Sequence, residues 1–208
     1  MGNDHLAGSY GIVLLAAGES ARLGKPKQLL LYKGKCLLHH GVQVAIDTGT
    51  NPVIAVLGAN ADLVKEEIEV DKEVHIVVNK DWKEGMASSI RCGLEKLQEI
   101  APGADAVIFM VCDQPFVTAK LLEDLVSKYQ ETGKPVIASK YENNSLGTPA
   151  LFDKTIFAAL MALKGDAGAK RIIKENPDWV NVVNFPLGNI DIDTDKDYEK
   201  LMSSQSIT

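Results

Sequence analysis

The stretch GIVLLAAGESARLGKPKQLLL, residues 11–31, determines how the rest of the chain can be arranged. Its apolar run at 12–16 is short and continuous, which is typical of one buried parallel strand. The run breaks into a loop that combines glycine, proline and several cations. We therefore expect a strand followed by a loop at the carboxyl edge of a sheet.

Small residues follow this strand directly, at Ala16, Ala17 and Gly18. They let a ligand approach the main chain closely, so that several backbone N–H groups can face one anion. Arg22 and Lys27 bring positive charge within a few residues of that backbone. The pattern predicts an anion site, and the alternative is a tight turn with a solvated basic rim.

The composition is that of an ordinary globular domain: 208 residues, 46% of them hydrophobic and 24% charged, with a formal net charge of −6. This charge excludes a nucleic-acid-binding protein that neutralises many backbone phosphates. Three widely spaced cysteines without a CxxC motif predict neither a disulfide framework nor a zinc site. The first ten residues do not resemble a secretory signal, and no apolar run reaches about 18 residues. We expect a cytoplasmic protein that does not enter a membrane.

Short β-branched runs alternate with longer amphipathic runs along the chain. This alternation predicts an α/β protein with a three-layer, doubly wound, mostly parallel sheet, a Rossmann-like arrangement. We treat residues 1–208 as a single domain in which 1–9 form a flexible N-terminal extension. Strands are expected near 11–16, 53–57, 74–78, 106–112, 136–140 and 180–185. Helices are expected near 36–48, 60–69, 87–99, 118–131, 153–163, 167–175 and 195–202.

In such a sheet, ligands bind outside the carboxyl ends of the strands. The segment NKDWKEGMASSIRCG, residues 79–93, follows the third predicted strand and opens a helix. Ser88 and Ser89 would provide hydroxyls and free N–H groups at the helix start, where an anion is favoured. The alternative, which composition alone favours, is a capped helix whose apolar side chains face the core.

The segment DAVIFMVCDQP, residues 105–115, places Asp113 at the end of a strongly apolar strand. Pro115 prevents this strand from continuing. An acid at this edge, facing a phosphate loop, matches the preference of Mg²⁺ for one or two carboxylates together with phosphate oxygens. The alternative is an ordinary turn or capping aspartate.

Two later segments are glycine-containing turns when read alone. Gly147, Thr148 and Pro149 precede PALF, a short run predicted to be an edge or extra strand. The segment GDAGAKRII, residues 165–173, predicts a helix start with a basic outer face.

The last segment is DIDTDKDYEKLM, residues 191–202. Thr194 followed by Asp197 predicts the cap of the final helix. Asp191 and Asp193 alternate around one apolar residue, which predicts a short strand with both carboxylates on one side.

The loop LAAGESARLGKPKQLL resembles the signature LAAGxSxRxGxxKxLL of nucleotidyltransferases with a molybdopterin-transferase-like fold. Among these, the chain is most similar to the molybdenum cofactor cytidylyltransferases, because LAAG replaces the LAGG of the guanylyltransferase relatives. Lys170 stands where the family's GDxGAR block usually has Arg, and Asp195 replaces a customary Pro. Further family blocks are similar to this chain: NxxWxxGMxxSxRxG at 79–93, DQP at 113–115, GxP at 147–149, GDxGAR at 165–170 and DIDTPxD at 191–197.

The resemblance implies Mg²⁺-dependent transfer of CMP from CTP to the phosphate of molybdenum cofactor (molybdopterin), with release of pyrophosphate. It also implies transient contact with a client molybdoenzyme or its chaperone. The implied catalytic residues are Arg22, Lys27 and Asp113, and the implied metal ligands are Asp113 and Asp193. The implied nucleotide-binding residues are Ala16, Ala17, Gly18, Arg22, Lys27 and Ser89. The implied substrate-binding residues are Asn79, Gly85, Met86, Gly147, Pro149 and Asp166.

Two alternatives remain open at this point. Another nucleotidyltransferase could use GTP with molybdopterin, or CTP with a sugar or polyol phosphate. A non-catalytic nucleotide- or cofactor-binding protein on the same fold could dispense with one of the two acids. If Asp113 and Asp193 do face each other, we expect their charges to repel in the absence of metal.

Overall fold

The computed structural model describes residues 9–66 and 73–205. Residues 1–8 of the predicted extension and 67–69 of the predicted second helix lie outside the described residues. The β-strands are β1 Tyr10–Ala16, β2 Leu31–Tyr32, β3 Lys35–Cys36, β4 Val53–Leu57, β5 Val74–Val78, β6 Ala106–Val111, β7 Val136–Lys140, β8 Leu146–Asp153 and β9 Val180–Asn184. The α-helices are α1 Leu37–Ile46, α2 Ala61–Lys65, α3 Met86–Ile100, α4 Ala119–Thr132, α5 Phe157–Met161, α6 Lys170–Glu175 and α7 Asp195–Gln205. Short 3₁₀ helices occupy Lys27–Leu29, Trp82–Glu84, Lys154–Ile156, Pro177–Trp179 and Pro186–Asn189.

Seven strands form one sheet in the order β5-β4-β1-β6-β8-β7-β9. Within this sheet β8 runs antiparallel to its neighbours β6 and β7, while the other pairs are parallel. The three-layer, mostly parallel α/β prediction is therefore confirmed. The expectation of an edge or extra strand at PALF is confirmed as an extra strand, since this run lies in β8, but it is not an edge strand, because β8 pairs on both sides. Ala150, Leu151 and Phe152 are completely buried there.

Both faces of the sheet are covered by helices. Ile12 and Leu14 of β1 belong to one buried cluster, with apolar residues of α1 and α4. Val13 and Leu15 belong to a second cluster on the opposite face, with residues of α3, α5 and α6. The continuous apolar run in β1 thus results from burial on both sides, as expected for a central parallel strand.

The connections reverse direction beside β1. From β1 the chain moves outward to β4 and β5, and then returns to β6 on the other side of β1. The carboxyl ends of β1 and β6 therefore border the crevice where open α/β sheets bind ligands. The loops that begin at Ala17 and Cys112 leave the sheet at this point.

A third, smaller apolar cluster ties the C-terminal segment to the first loop. Leu23 and Leu30 from the loop pack with Ile192 and Leu201. Ile192 has no exposed surface, so its insertion fixes where the flanking aspartates can lie. Helix α7 is capped as predicted, because the N–H of Asp197 donates to Thr194 Oγ1 at 3.3 Å and the N–H of Thr194 donates to Asp197 Oδ2 at 2.9 Å.

Gly93 lies where helix α3 packs tightly against strands β1 and β4 of the sheet. An added Cβ would lie 2.4 Å from Val13 Cγ1 and 3.0 Å from Val56 Cγ2. Gly93→Ala should lower the free energy of unfolding by about 1–3 kcal/mol, because overpacking outweighs the better helix propensity of alanine. Urea denaturation measures this, with Gly103→Ala as control because no atom lies within 4 Å of its added Cβ. Equal stability of the two variants would contradict this packing.

Candidate active site

The loop after β1 is fixed by a buried glutamine. Gln28 is 1% exposed, and its Nε2 donates to the carbonyl oxygens of Ala16 at 2.7 Å and Gly18 at 2.9 Å. The sequence analysis did not single out Gln28. Its polar side chain just before the apolar LLL was the available signal, because a buried amide needs a defined partner.

Lys27 joins the two acids that the sequence assigned to a metal. Its Nζ donates to Asp113 Oδ2 in a very short contact and to Asp193 Oδ1 at 2.9 Å. The side chains of Lys27 and Asp113 are only 15% and 16% exposed. The expected repulsion between the acids is therefore wrong for this structure, because one ammonium lies between them.

The backbone of the C-terminal segment brings Asp193 to this place. The N–H of Ile192 donates to the carbonyl of Asp113 at 3.1 Å. The predicted short strand at 191–193 does not form, and the segment is extended without a strand partner. Asp193 faces Lys27, whereas Asp191 lines a neighbouring cavity.

Arg22 lies at the exposed rim of the site. Its Nη2 is 2.8 Å from Asp193 Oδ2, and its side chain is 70% exposed. An exposed ion pair of this kind contributes little to stability. Arg22 can therefore move to a ligand at small energetic cost.

The charges within the cluster support one another. Burial opposes the charge on Lys27, but Asp113 and Asp193 more than compensate and raise the pKa of its ammonium above the usual value. Burial likewise opposes the charge on Asp193, yet the hydrogen bond and charge of Lys27 and the charge of Arg22 lower its pKa. Both shifts favour the charged forms of Lys27 and Asp193.

The first cavity of the crevice has a volume of about 290 Å³. It begins at the loop after β1 and extends to the start of α3. Of the predicted site residues, it is lined by Ala17, Gly18, Lys27, Gly85, Met86, Ser89, Asp113 and Asp166. Trp82 adds an aromatic wall. The structure thus brings together residues from four separate parts of the sequence.

Asn79 is buried and does not line either cavity of the crevice. Its Nδ2 donates to Ser88 Oγ at 2.8 Å and to Ser89 Oγ at 3.1 Å, and its Oδ1 accepts from the N–H of Asp81 at 2.9 Å. Both the nitrogen and the oxygen of the Asn79 amide therefore form hydrogen bonds with other groups of the protein. Asn79 is therefore placed to position the start of α3 rather than to touch a ligand.

The loop at 163–166 is held against the start of α3. Arg91 Nη1 donates to the carbonyl of Leu163 at 2.6 Å, and Arg91 also pairs with Glu84 at 2.6 Å. Gly85 has φ +116°, and an added Cβ would lie 2.4 Å from Asp166 Oδ1. Both the positive φ and the lack of space for a Cβ require glycine at position 85. The contact between Gly85 and Asp166 places Asp166 at the crevice.

A second cavity of about 350 Å³ continues the crevice. It shares Leu15, Met86, Val111, Asp113 and Asp166 with the first cavity. Its remaining polar lining consists of Gln114, Thr148, Lys170 and Asp191. Asp113 therefore lies where the two cavities meet.

Gly147 and Pro149, which the sequence assigned to substrate binding, line neither cavity. Both belong to β8, and the carbonyl of Pro149 accepts a hydrogen bond from Ser139 Oγ at 2.7 Å. Thr148, which lies between them in β8, lines the second cavity. The sequence did not indicate Gln114, the residue after Asp113, as part of the site. It is 5% exposed and lines the second cavity.

The donor set suits a metal that is bound together with phosphates. Within residues 9–66 and 73–205, no cluster of three or more His, Cys, Asp or Glu side chains could hold a metal ion by itself. Two carboxylates that converge on one cation match the mode in which Mg²⁺ is held by one or two acids plus phosphate oxygens.

A sequence comparison identifies the family. The pattern of the MobA-like NTP transferase domain matches residues 12–180. The chain belongs to the MobA-like NTP transferase family. It is therefore a nucleotidyltransferase by family. No helix in the described part of the chain is long and apolar enough to cross a membrane.

Individual relatives differ in what they are named for. Nicotine blue oxidoreductase from Paenarthrobacter nicotinovorans is 31% identical over 182 residues, 83% of this chain and 85% of its own. A crystal structure of the Mycobacterium tuberculosis Rv0371c homologue from Mycobacterium sp. strain JC1 is 32% identical, with a TM-score of 0.81 over 94% of this chain and 96% of that chain. A crystal structure of Rv0371c from M. tuberculosis H37Rv in complex with manganese is 27% identical, with a TM-score of 0.75 over 95% of this chain and 100% of that chain.

The Lys27 cluster should contribute measurably to the stability of the ligand-free protein. Asp113→Asn leaves the half-buried ammonium with one ionic partner fewer and should lower the free energy of unfolding by about 1–3 kcal/mol. Urea denaturation without metal measures this change. The matched control is Asp124→Asn, which removes an acid from an exposed i,i+4 pair with Lys120 and should cost at most about 0.5 kcal/mol. Increased stability of Asp113→Asn would show that repulsion between the acids prevails.

Proposed function

We propose that this nucleotidyltransferase uses a divalent metal ion to transfer CMP from CTP to the phosphate of molybdenum cofactor, releasing pyrophosphate. The observation that carries the proposal is the convergence of Asp113 and Asp193, 80 positions apart in the sequence, on one cation beside the loop after β1. The manganese bound to the related Rv0371c structure supports a divalent metal. The resemblance of the sequence blocks at 79–93, 147–149 and 165–170 to those of molybdenum cofactor cytidylyltransferases supports a molybdopterin-type acceptor.

The reaction needs alignment and charge neutralisation rather than a protein nucleophile. A phosphate acceptor is already an anionic nucleophile, so no Ser-His-Asp or Cys-His set is required. Asp113 and Asp193 would hold the metal ion, whose positive charge would offset that of the phosphates. The negative charge of the nucleotide then attracts Lys27 and Arg22, which in the free protein pair with these same acids.

The roles of the cations follow from their positions. Lys27 lines the first cavity beside Gly18 and Asp113, so it is placed to neutralise charge at the α-phosphate. Arg22 lies at the exposed rim, where it can stabilise the departing pyrophosphate. Both contacts are charge-assisted and form without breaking any core packing.

The choice of base rests on the first loop. Ala17 is 5% exposed and its carbonyl accepts from the N–H of Ala59 at 3.0 Å, so the main chain there is held in place. An alanine at this position, rather than the glycine of the guanylyltransferase relatives, leaves less room beside the base and favours CTP. GTP with the same acceptor, or CTP with a sugar or polyol phosphate, are the competing assignments.

The direct test is pyrophosphate release with each of the four nucleoside triphosphates, Mg²⁺ and molybdenum cofactor. We expect CTP to be preferred and the product to be the cytosine dinucleotide form of the cofactor. Preference for GTP would overturn the base assignment and keep the enzyme class. Release with a sugar or polyol phosphate alone would replace the acceptor. Nucleotide binding without release under all conditions would favour a non-catalytic binding protein.

Arg22→Ala should weaken binding of the triphosphate without unfolding the protein. A charge-assisted phosphate contact is worth about 1.5–3 kcal/mol, which corresponds to roughly 10- to 150-fold in affinity. Calorimetric titration with a non-hydrolysable CTP analogue measures the effect. Lys25→Ala is the control, since its ammonium lies 3.3 Å from Asp195, whereas Arg22 pairs with Asp193 of the cluster. Equal affinity of Arg22→Ala and the parent would remove Arg22 from the site.

Asp113→Asn and Asp193→Asn should each abolish most of the turnover. Either change disables the same metal-dependent step, so the double variant should be scarcely slower than the slower single variant. Steady-state rates at saturating Mg²⁺ measure the three variants. Independent, multiplicative losses would show that the two acids do not act on one ion.

A further inference from the structure

The second cavity contains one cation that the cluster around Lys27 does not use. Lys170, the first residue of α6, lines this cavity together with Asp113, Gln114 and Thr148. Its Nζ lies 5.6 Å from the centroid of the Tyr141 ring. In the described part of the chain, no carboxylate forms a salt bridge with it, in contrast to Arg22 and Lys27.

A glycine in β8 makes this position possible. An added Cβ at Gly147 would lie 2.7 Å from Lys170 Cε and 2.3 Å from Tyr141 Oη. The lysine stem and the tyrosine ring thus cross the strand where no side chain intervenes. The ammonium of Lys170 lies over the Tyr141 ring, beside the cavity that Lys170 lines.

The other polar groups on this wall already bond to one another. Gln114 Nε2 donates to Tyr141 Oη at 3.1 Å and to the carbonyl of Gly188 at 2.6 Å. The Thr148 hydroxyl donates to Gln114 Oε1 at 3.2 Å, and Tyr141 Oη donates to the carbonyl of Thr148 at 2.6 Å. This network gives the wall a fixed shape, with Lys170 as its positive charge.

We propose that the acceptor enters through the second cavity and that Lys170 binds its phosphate. This assignment rests on the proposed function. Asp113 lines both cavities, so an acceptor phosphate between Lys170 and Asp113 faces the nucleotide held in the first cavity. A lysine suits this role because a compact ammonium with rotatable donors binds phosphate as a point charge.

The step balances without any further reactant. An oxygen of the acceptor monoester attacks the α-phosphorus of CTP and forms the new P–O–P bond. The bond from this phosphorus to the bridging oxygen breaks, and pyrophosphate leaves with the electron pair. The acceptor phosphate and the triphosphate are both anions and repel each other as they approach. Lys170 offsets part of this repulsion by neutralising charge on the acceptor phosphate.

The lining of the cavity also indicates the rest of the acceptor. Leu15, Ile90, Phe109 and Val111 form an apolar floor. Asp166 and Asp191 are the two further carboxylates that line it, and their charge disfavours a second phosphate on the acceptor. A single phosphate on a largely apolar or flat organic group fits these constraints better than a polyphosphate.

The adjacent residue provides a matched control. Arg171 is also a cation of α6, but its Nε pairs with Glu175 at 2.8 Å on the exposed surface. It lines neither cavity. Lys170→Met and Arg171→Met therefore remove the same charge from neighbouring positions, and only the first removes it from the crevice.

The test uses phenyl phosphate as the probe and the full chain saturated with Mn²⁺ and a non-hydrolysable CTP analogue. Affinity for the probe is measured by calorimetry. We expect Lys170→Met to weaken it by at least about 10-fold, Lys170→Arg to restore most of it, and Arg171→Met to leave it unchanged. In turnover with molybdenum cofactor as the acceptor, Lys170→Met should raise the KM for the cofactor and leave the KM for CTP unaffected.

The outcomes separate the two claims. Intact binding of the analogue with unchanged affinity for phenyl phosphate in Lys170→Met would overturn the Lys170 assignment alone, as would equal losses in Lys170→Met and Arg171→Met. Failure of the parent to bind the analogue would overturn the proposed function. Thermal unfolding of each variant confirms that the changes in affinity do not arise from loss of the fold.

Discussion

The ammonium of Lys27 between Asp113 and Asp193 is the interaction on which the site depends. A half-buried carboxylate pair without a cation would be strongly disfavoured, and one of its members would take up a proton. With Lys27 present, the two acids are held close together by one shared cation. Arg22 reaches the same pair from the solvent side. The two cations of the cluster are thus paired with its two acids in the free protein.

The fold supports this arrangement in two ways. The reversal of the connections beside β1 brings the loops after β1 and β6 to one edge of the sheet, which fixes Lys27 relative to Asp113. Asp193 comes from the far end of the chain, and it is fixed by the buried Ile192 side chain and by the backbone bond to the carbonyl of Asp113. A buried apolar side chain next to Asp193 therefore determines where the charge of Asp193 lies. Substitutions at Ile192 act on the site through this contact.

Much of this could be predicted from the sequence, for identifiable physical reasons. The apolar run before Asp113 shows that this acid ends a central strand, and the parallel sheet then requires it to meet the loop after β1. The order of the chain does not reveal that β8 inserts antiparallel between β6 and β7, because Gly147 and Pro149 make its first half read as a turn. Gln28 and Asn79 show a different limit, since composition marks a polar residue but does not tell whether it bonds to the protein or to a ligand. The pairing of Lys27 with both acids depends on distances between three separate segments, which no local pattern contains.

The central claim is that Asp113 and Asp193 form one cation site that Lys27 fills in the free protein and a divalent metal fills in the nucleotide complex. The most direct measurement is a crystal structure of the protein with Mg²⁺ and a non-hydrolysable CTP analogue. We expect one ion about 2.0–2.1 Å from an oxygen of each carboxylate, and Lys27 Nζ in contact with a phosphate oxygen instead of the two acids. A nucleotide bound at the loop while Lys27 still joins the two acids, or an ion that touches neither acid, would contradict it.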